Sequence, residues 1–242
     1  MNHPHKPATV DISERGAPID GSPQISDRRL YVQLNAFGSC SNPQSLIPAL
    51  EASGLEAVLY SDVNDPYGIG IVVLAESPDV FVTEARSLFA TEAFASLNHK
   101  PKFTMLGRTY SSGYEPDLED YLLNKPRRNS LNPDWPWAVW YPLRRKGNFA
   151  QADPDSQRKI LMEHATIGRS YAGADLAYDI RLACYGLDEN DNDFVIGLLG
   201  SELYPLSHVV QEMRKTQQTS MYIESLGPFF VGKAAWQSPM KG

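Results

Sequence analysis

The stretches 58-VLYSDVNDPYGIGIVVLAESPDVFVTEARSL-88 and 183-ACYGLDENDNDFVIGLLGSELYPLSHVVQEMRK-215 say nearly the same thing. Each leaves an apolar strand through a turn rich in Asp and Asn and enters a second apolar strand. Each then closes that strand with a small residue and a glutamate, and opens a helix beside a proline. Two copies of one supersecondary pattern in a single chain point to an internal duplication.

The flanking segments extend the match. Before the first copy, Tyr31 to Phe37 alternates as a strand, and 43-PQSLIPALEAS-53 reads as a short helix stopped by Gly54. Pro78 opens a helix that the pattern carries to about Phe94, and Lys102 to Tyr110 is a closing strand. Around the second copy, Trp137 to Pro142 is a strand and Pro154 to Tyr171 a helix, with Asp153 as N-cap and Pro154 at its first position. Asp179 to Tyr185 and Gly227 to Lys233 complete the set. The order βαββαβ, twice, predicts an α+β protein of two fused ferredoxin-like halves whose sheets share a core in a dimeric-α/β-barrel-like unit. The expected boundaries are a floppy arm over 1–28, a first half over 29–112, a connector crossing the surface over 113–136, and a second half over 137–235.

Composition narrows the function classes. The 242 residues carry a net charge of −7, with a pI near 5.2, which argues against a nucleic-acid partner. Cys40 and Cys184 lack metal or redox spacing and read as idle thiols of a reducing compartment. No apolar run reaches the length of a membrane span, and the first residues lack the apolar core of a secretory signal, so the cytoplasm is the expected location.

Within 160-ILMEHATIGRSYAG-173, Ile160, His164, Ile167 and Tyr171 fall at i, i+4, i+7 and i+11, on one helical face that should point inward. The bland reading is a core histidine bonded to a backbone carbonyl. The sharper one is an axial ligand to the iron of a heme, with Ile167 and Tyr171 among the walls for the porphyrin. Glu163 points about 100° away on a helix and is no obvious partner for the imidazole. In 135-WPWAVWYPLRRK-146, Tyr141 is a redox-capable phenol followed by Arg144, Arg145 and Lys146, cations suited to carboxylates, and Arg127 and Arg128 add to that pool.

The segments WYPLRR, LMEHATIGRSYAG, YGLDENDNDFVIGLL and MRKTQQTSMYIESLGPFFVGK, in this order and at these separations, resemble the chlorite dismutase and coproheme decarboxylase superfamily. The resemblance covers Trp137 to Lys233 well; the first half shares mainly the order of elements. It implies a heme enzyme with His164 as the iron ligand, Tyr141 as the redox tyrosine, Arg145 on a propionate, and Arg127 or Arg128 as a second propionate-binding arginine. The cofactor or substrate it implies is iron porphyrin, as coproheme or heme b, with peroxide or a small oxyanion as co-substrate, in a homopentamer. The implied activity is peroxide-dependent oxidative decarboxylation of iron coproporphyrin. Its alternatives are a chlorite dismutase-like or peroxidase-like enzyme, a non-catalytic heme carrier or sensor, and a barrel that has lost heme. The sequence departs from the family at two places. The residue thirteen beyond His164 is Ala177, where the family has its distal group above the iron; a two-residue insertion in 173-GADLA-177 would bring Asp179 there, with Arg181 two further on the same strand face, and both stay candidates. Pro228 stands where decarboxylases tend to have a propionate-binding serine.

Overall fold

The computed structural model describes residues 10–240. It opens with a hairpin of β1 (Glu14–Ile19) and β2 (Ser22–Ser26). The turn residues Asp20 and Gly21 have φ of 50° and 80°, the left-handed pair that a two-residue hairpin turn requires. The floppy arm expected over 1–28 is thereby corrected from residue 14 to residue 26; residues 1–9 lie outside the described residues. The hairpin is tied to the segment after the first half. Glu14 accepts from Ser111 N at 2.8 Å, and Gln24 donates to Glu115 O at 3.1 Å while accepting from Leu118 N at 2.9 Å.

The first half contains β3 (Tyr31–Gly38), α1 (Ile47–Ser53), β4 (Glu56–Asp62), β5 (Ile69–Ala75), α2 (Asp79–Val82), α3 (Glu84–Phe89), the two-residue β6 (Asn98–His99) and β7 (Met105–Arg108). The helix expected from Pro78 is broken into α2 and α3 at Thr83, whose φ and ψ of −116° and −88° leave the helical region. After α4 (Lys125–Ser130) the second half follows: β8 (Trp137–Arg145), α5 (Asn148–Gln151), α6 (Pro154–Gly173), β9 (Tyr178–Ala183), β10 (Phe194–Gly200), α7 (Leu203–Met213), β11 (Ile223–Leu226) and β12 (Phe230–Gln237).

Strand order makes the duplication visible. The first half is ordered β7-β3-β5-β4 and the second β12-β8-β10-β9, the same sequence of fourth, first, third and second strand. The second strand of each half pairs antiparallel with the fourth of the other, β4 with β12 and β9 with β7. The eight strands therefore close into a barrel, which leaves none of these long apolar strands with a free edge.

Alternation along the strands separates three cores. Val32, Leu34, Val72, Leu74, Ile180, Leu182 and Trp140 point into the barrel. On the outer face of the first half, Ile69, Ile71 and Val73 pack under α1 and α3; on that of the second, Val139, Tyr141 and Leu198 pack with Leu206 and Val209 of α7. Inside the barrel, large rings lie over glycines: a Cβ at Gly70 would sit 2.4 Å from the Phe230 ring, and one at Gly197 2.6 Å from the Trp140 ring.

The connector is no surface crossing. Leu118, Leu122, Leu123 and Leu131 belong to the barrel core. Burying four leucines contributes roughly 6–12 kcal/mol of gross transfer free energy, so the segment plugs the barrel. No helix among the described residues is long and apolar enough to cross a membrane.

Candidate functional site

Helix α6 carries the histidine. Asp153 caps it, accepting from Asp155 N at 3.1 Å and Ser156 N at 3.0 Å, with Pro154 at the first position. The helix lies against β9, α7 and the turn over 218–222. Its expected inner face is the observed one: Ile160 is buried, and His164, Ile167 and Tyr171 are partly buried.

His164 Nδ1 lies 3.4 Å from Thr216 Oγ1, at the long limit of a hydrogen bond. The Thr216 hydroxyl donates to Met213 O at 2.7 Å, and a carbonyl can only accept, so the oxygen turns lone pairs toward the imidazole. That arrangement favours the proton on Nδ1 and leaves the Nε2 lone pair available, the tautomer a metal ligand uses. Among the described residues Nε2 has no hydrogen-bond partner. Burial, followed by the positive charges of Arg181 and Arg145, lowers the His164 pKa from 6.5 to about 4, so the ring is neutral at physiological pH. Glu163 is turned away, as expected, and accepts from Gln217 N at 2.9 Å.

Strand register assembles the facing wall. Strand β10 runs between β8 and β9, so Ile196 pairs with Tyr141 on one side and Arg181 on the other, and Leu198 pairs with Val139 and Asp179. Paired residues share a face, which puts Tyr141, Arg145, Asp179 and Arg181 together on the outer side of the barrel, the side covered by α6 and α7. Tyr141 and Arg181 are two strand spacings apart, roughly 10 Å. Tyr141 is buried and stacked on Phe229 with centroids 4.7 Å apart; burial, and then the charge of Asp179, push its phenol pKa upward.

Asp179 and Arg181, the two candidates for the distal position, pair with each other: Arg181 Nε is 3.0 Å from Asp179 Oδ2, and a second guanidinium nitrogen donates to Tyr121 Oη at 2.9 Å. Burial opposes the charge of Arg181, but Asp179 and then Tyr121 outweigh it and raise its pKa. Arg145 contrasts with it. Its guanidinium is sandwiched between Phe149 and Phe194, 4.7 and 4.6 Å from the ring centres. Its Nε is buried without a hydrogen bond, and no carboxylate forms an ion pair with it among the described residues. Burial lowers its pKa.

Arg127 and Arg128 are not brought to this face. Arg127 is bonded to Glu56 at 2.9 Å and also reaches Glu76, and Arg128 pairs with Asp120; both are already neutralised, so the expected second propionate contact does not arise from either in this arrangement. Ala177 is a buried core residue beneath α7. Ile167 and Tyr171 both pack against the same cluster, and Tyr171 also directs its hydroxyl to His208 of α7. Both cysteines are buried and free. The sequence reading did not single out Thr216, Tyr121 or the rings of Phe149, Phe194 and Phe229. Nor did it single out Tyr110, whose ring lies 5.6 Å from Phe194 and whose phenol pKa is raised by burial against the opposing charges of Arg181 and Arg145.

A closed barrel of two ferredoxin-like halves, with a neutral imidazole on the helix facing one outer wall and an arginine without an ion pair in that wall, defines a recognisable class. The family model for chlorite dismutase matches residues 54–235, and the chain belongs to that family. A curated relative, the coproheme decarboxylase of Oceanobacillus iheyensis, is 30% identical over 125 residues, which is 50% of this chain and 47% of that protein. The chain thus matches about half the length of that relative. Among solved structures, a heme-binding protein from Thermus thermophilus superimposes with a TM-score of 0.67 at 21% identity, covering 86% of this chain and 91% of that one. The chlorite dismutase of Candidatus Nitrospira defluvii in complex with imidazole gives 0.66 at 15% identity, covering 88% and 93%. At these identities the structures establish the shared fold.

Proposed function

We propose that the chain binds an iron porphyrin through His164 and uses peroxide to decarboxylate iron coproporphyrin. The observation that carries this reading is the pairing of a neutral imidazole, its Nε2 free, with the unpaired guanidinium of Arg145 on the facing wall. Among the described residues no three His, Cys, Asp or Glu side chains cluster to hold a bare metal ion. A metal already held by a macrocycle would need one further donor from the chain, which His164 offers, and the macrocycle's carboxylates would give Arg145 the direct ion pair it lacks. The residues present therefore fit the group.

Bound there, the porphyrin iron supplies the redox chemistry by which peroxide removes two carboxyl groups as carbon dioxide and leaves vinyl groups. The rest belongs to the chain. His164 would hold the iron through Nε2, with Thr216 orienting the ring through Nδ1. Arg145 orients a propionate by a charge-assisted bond. Tyr141, sealed from water and stacked on Phe229, is the phenol that exchanges an electron and proton with the substrate. A ring of five copies belongs to the same proposal and is tested by light scattering.

Oxyanion chemistry of the chlorite dismutase type is the second reading. It needs a free cation over the iron, and Arg181 is cancelled by Asp179, so it ranks below decarboxylation. The deciding experiment incubates the protein with iron coproporphyrin and peroxide and weighs the porphyrin by mass spectrometry. Wild type loses two carboxyl groups and Tyr141→Phe stalls. Conversion at an unchanged rate in that variant refutes the role of Tyr141, and no conversion by a porphyrin-loaded wild type leaves a carrier.

A further inference from the structure

The Tyr171 phenol is hydrogen-bonded to His208 Nδ1 across the α6–α7 interface, and their ring centres are 6.0 Å apart. One turn earlier on α7, the ring of Tyr204 lies 5.7 Å from His208, and Tyr204 is 73% exposed. At the inner end, Tyr171 packs against the apolar cluster that contains Tyr141 and Phe229. Three rings thus follow one another from the α6–α7 interface to the surface, with the imidazole of His208 between the two phenols, and Tyr171 stands two turns along α6 from His164.

We propose that Tyr171, His208 and Tyr204 form a redox relay that delivers electrons from the surface to the site. The proposal rests on the peroxide-using porphyrin reading for its oxidant. In turnovers in which no propionate is oxidised, peroxide takes two electrons, one at a time, and two protons from solvent to give two waters. For each electron drawn through the relay, the Tyr171 O–H bond breaks: the electron goes inward, and the proton goes to His208 Nδ1 to give an imidazolium. Tyr204 then supplies an electron to the Tyr171 radical, the proton returns from His208 to Tyr171, and Tyr204 releases its own proton to water. A small phenolic reductant in solution donates a hydrogen atom to Tyr204 and closes the cycle. The base matters because a phenol that loses an electron becomes a strong acid, and an imidazole nitrogen already in hydrogen-bond contact can accept the proton without rearrangement. With no reductant present, two exposed Tyr204 radicals on different molecules couple into a dityrosine link.

The test has two arms. In the first, the protein without porphyrin is oxidised by azidyl radicals generated by pulse radiolysis, and the tyrosyl radical is followed by its absorption and, after freezing, by electron paramagnetic resonance. Wild type is expected to hold a long-lived, hydrogen-bonded radical that is lost in Tyr171→Phe and shortened in His208→Phe. Equal lifetimes in all three proteins overturn the relay whatever the chain binds. In the second arm, protein loaded with iron protoporphyrin is treated with hydrogen peroxide and cross-linked peptides are mapped by mass spectrometry. Dityrosine at Tyr204 is expected in wild type and is lost in Tyr171→Phe and, because the exposed ring is unneeded for folding, cleanly in Tyr204→Phe. A Soret band with no Tyr204 product overturns the relay while sparing the porphyrin reading; absence of the Soret band overturns that reading, and with it the site as the source of oxidant.

Discussion

Replacing Arg145 with methionine separates the stability of this protein from its function, because the same feature serves them with opposite sign. The guanidinium lies between Phe149 and Phe194 with its Nε buried and unbonded. Each ring contributes about 0.5–2 kcal/mol, whereas withdrawing a cation from water without a direct ion pair, with Asp193 attracting it only at longer range, costs several kcal/mol, the effective penalty that remains after relaxation. The difference leaves the native residue a burden of about 1–2 kcal/mol on the unloaded fold, while methionine keeps the length and the contact with both rings. Urea unfolding of the unloaded protein should therefore show Arg145→Met more stable than wild type by about that amount, at an unchanged m-value. Titration with iron coproporphyrin should show the reverse. A charge-assisted bond to a carboxylate is worth about 1.5–3 kcal/mol, so affinity falls by about 10–100-fold, and a porphyrin whose carboxylates are esterified should lose the discrimination. A variant that is less stable than wild type and binds the porphyrin equally well would falsify the reading of Arg145 as a cation awaiting an anion.

Acid should destabilise the unloaded protein through His164. Its pKa is about 4 in the fold against 6.5 for an unperturbed ring, so between those values the unfolded chain binds the additional proton. The contribution is fully present above pH 6.5 and is lost as pH falls toward 4, at most about 3 kcal/mol; His164→Gln should flatten that segment of the stability profile, and an unchanged slope contradicts the assigned burial. Gly197→Ala should cost about 1–3 kcal/mol in thermal or urea unfolding, because the new methyl would meet the Trp140 ring at 2.6 Å; a neutral effect means the ring moves freely in the barrel.

The features legible in the sequence were those set by local periodicity. The duplicated segments at 58–88 and 183–215 announced the two halves, and the strand order confirms them. The face of α6 that bears His164 followed from helical spacing alone. Partners set by topology were not legible. Arg127 lies in sequence beside Arg128 and far from Glu56 and Glu76, yet those carboxylates claim it once the barrel closes. Tyr121 meets Arg181 because the connector turns inward, and the connector read as surface because its polar residues outnumber the leucines that plug the barrel. The hairpin over 14–26 was masked by Pro, Gly and Ser, although its Asp20-Gly21 turn was there to be read. Asp179 and Arg181 stand as alternatives in the sequence; two residues apart on one strand face, they form a pair.

The central claim is that the imidazole of α6 is an axial ligand. Titrating the protein with iron coproporphyrin while recording the Soret band tests it most directly. Saturation at one equivalent per chain is predicted for wild type, with the band shifted and the affinity sharply reduced in His164→Ala and partly restored by added imidazole. An identical band and affinity in wild type and His164→Ala would contradict the account.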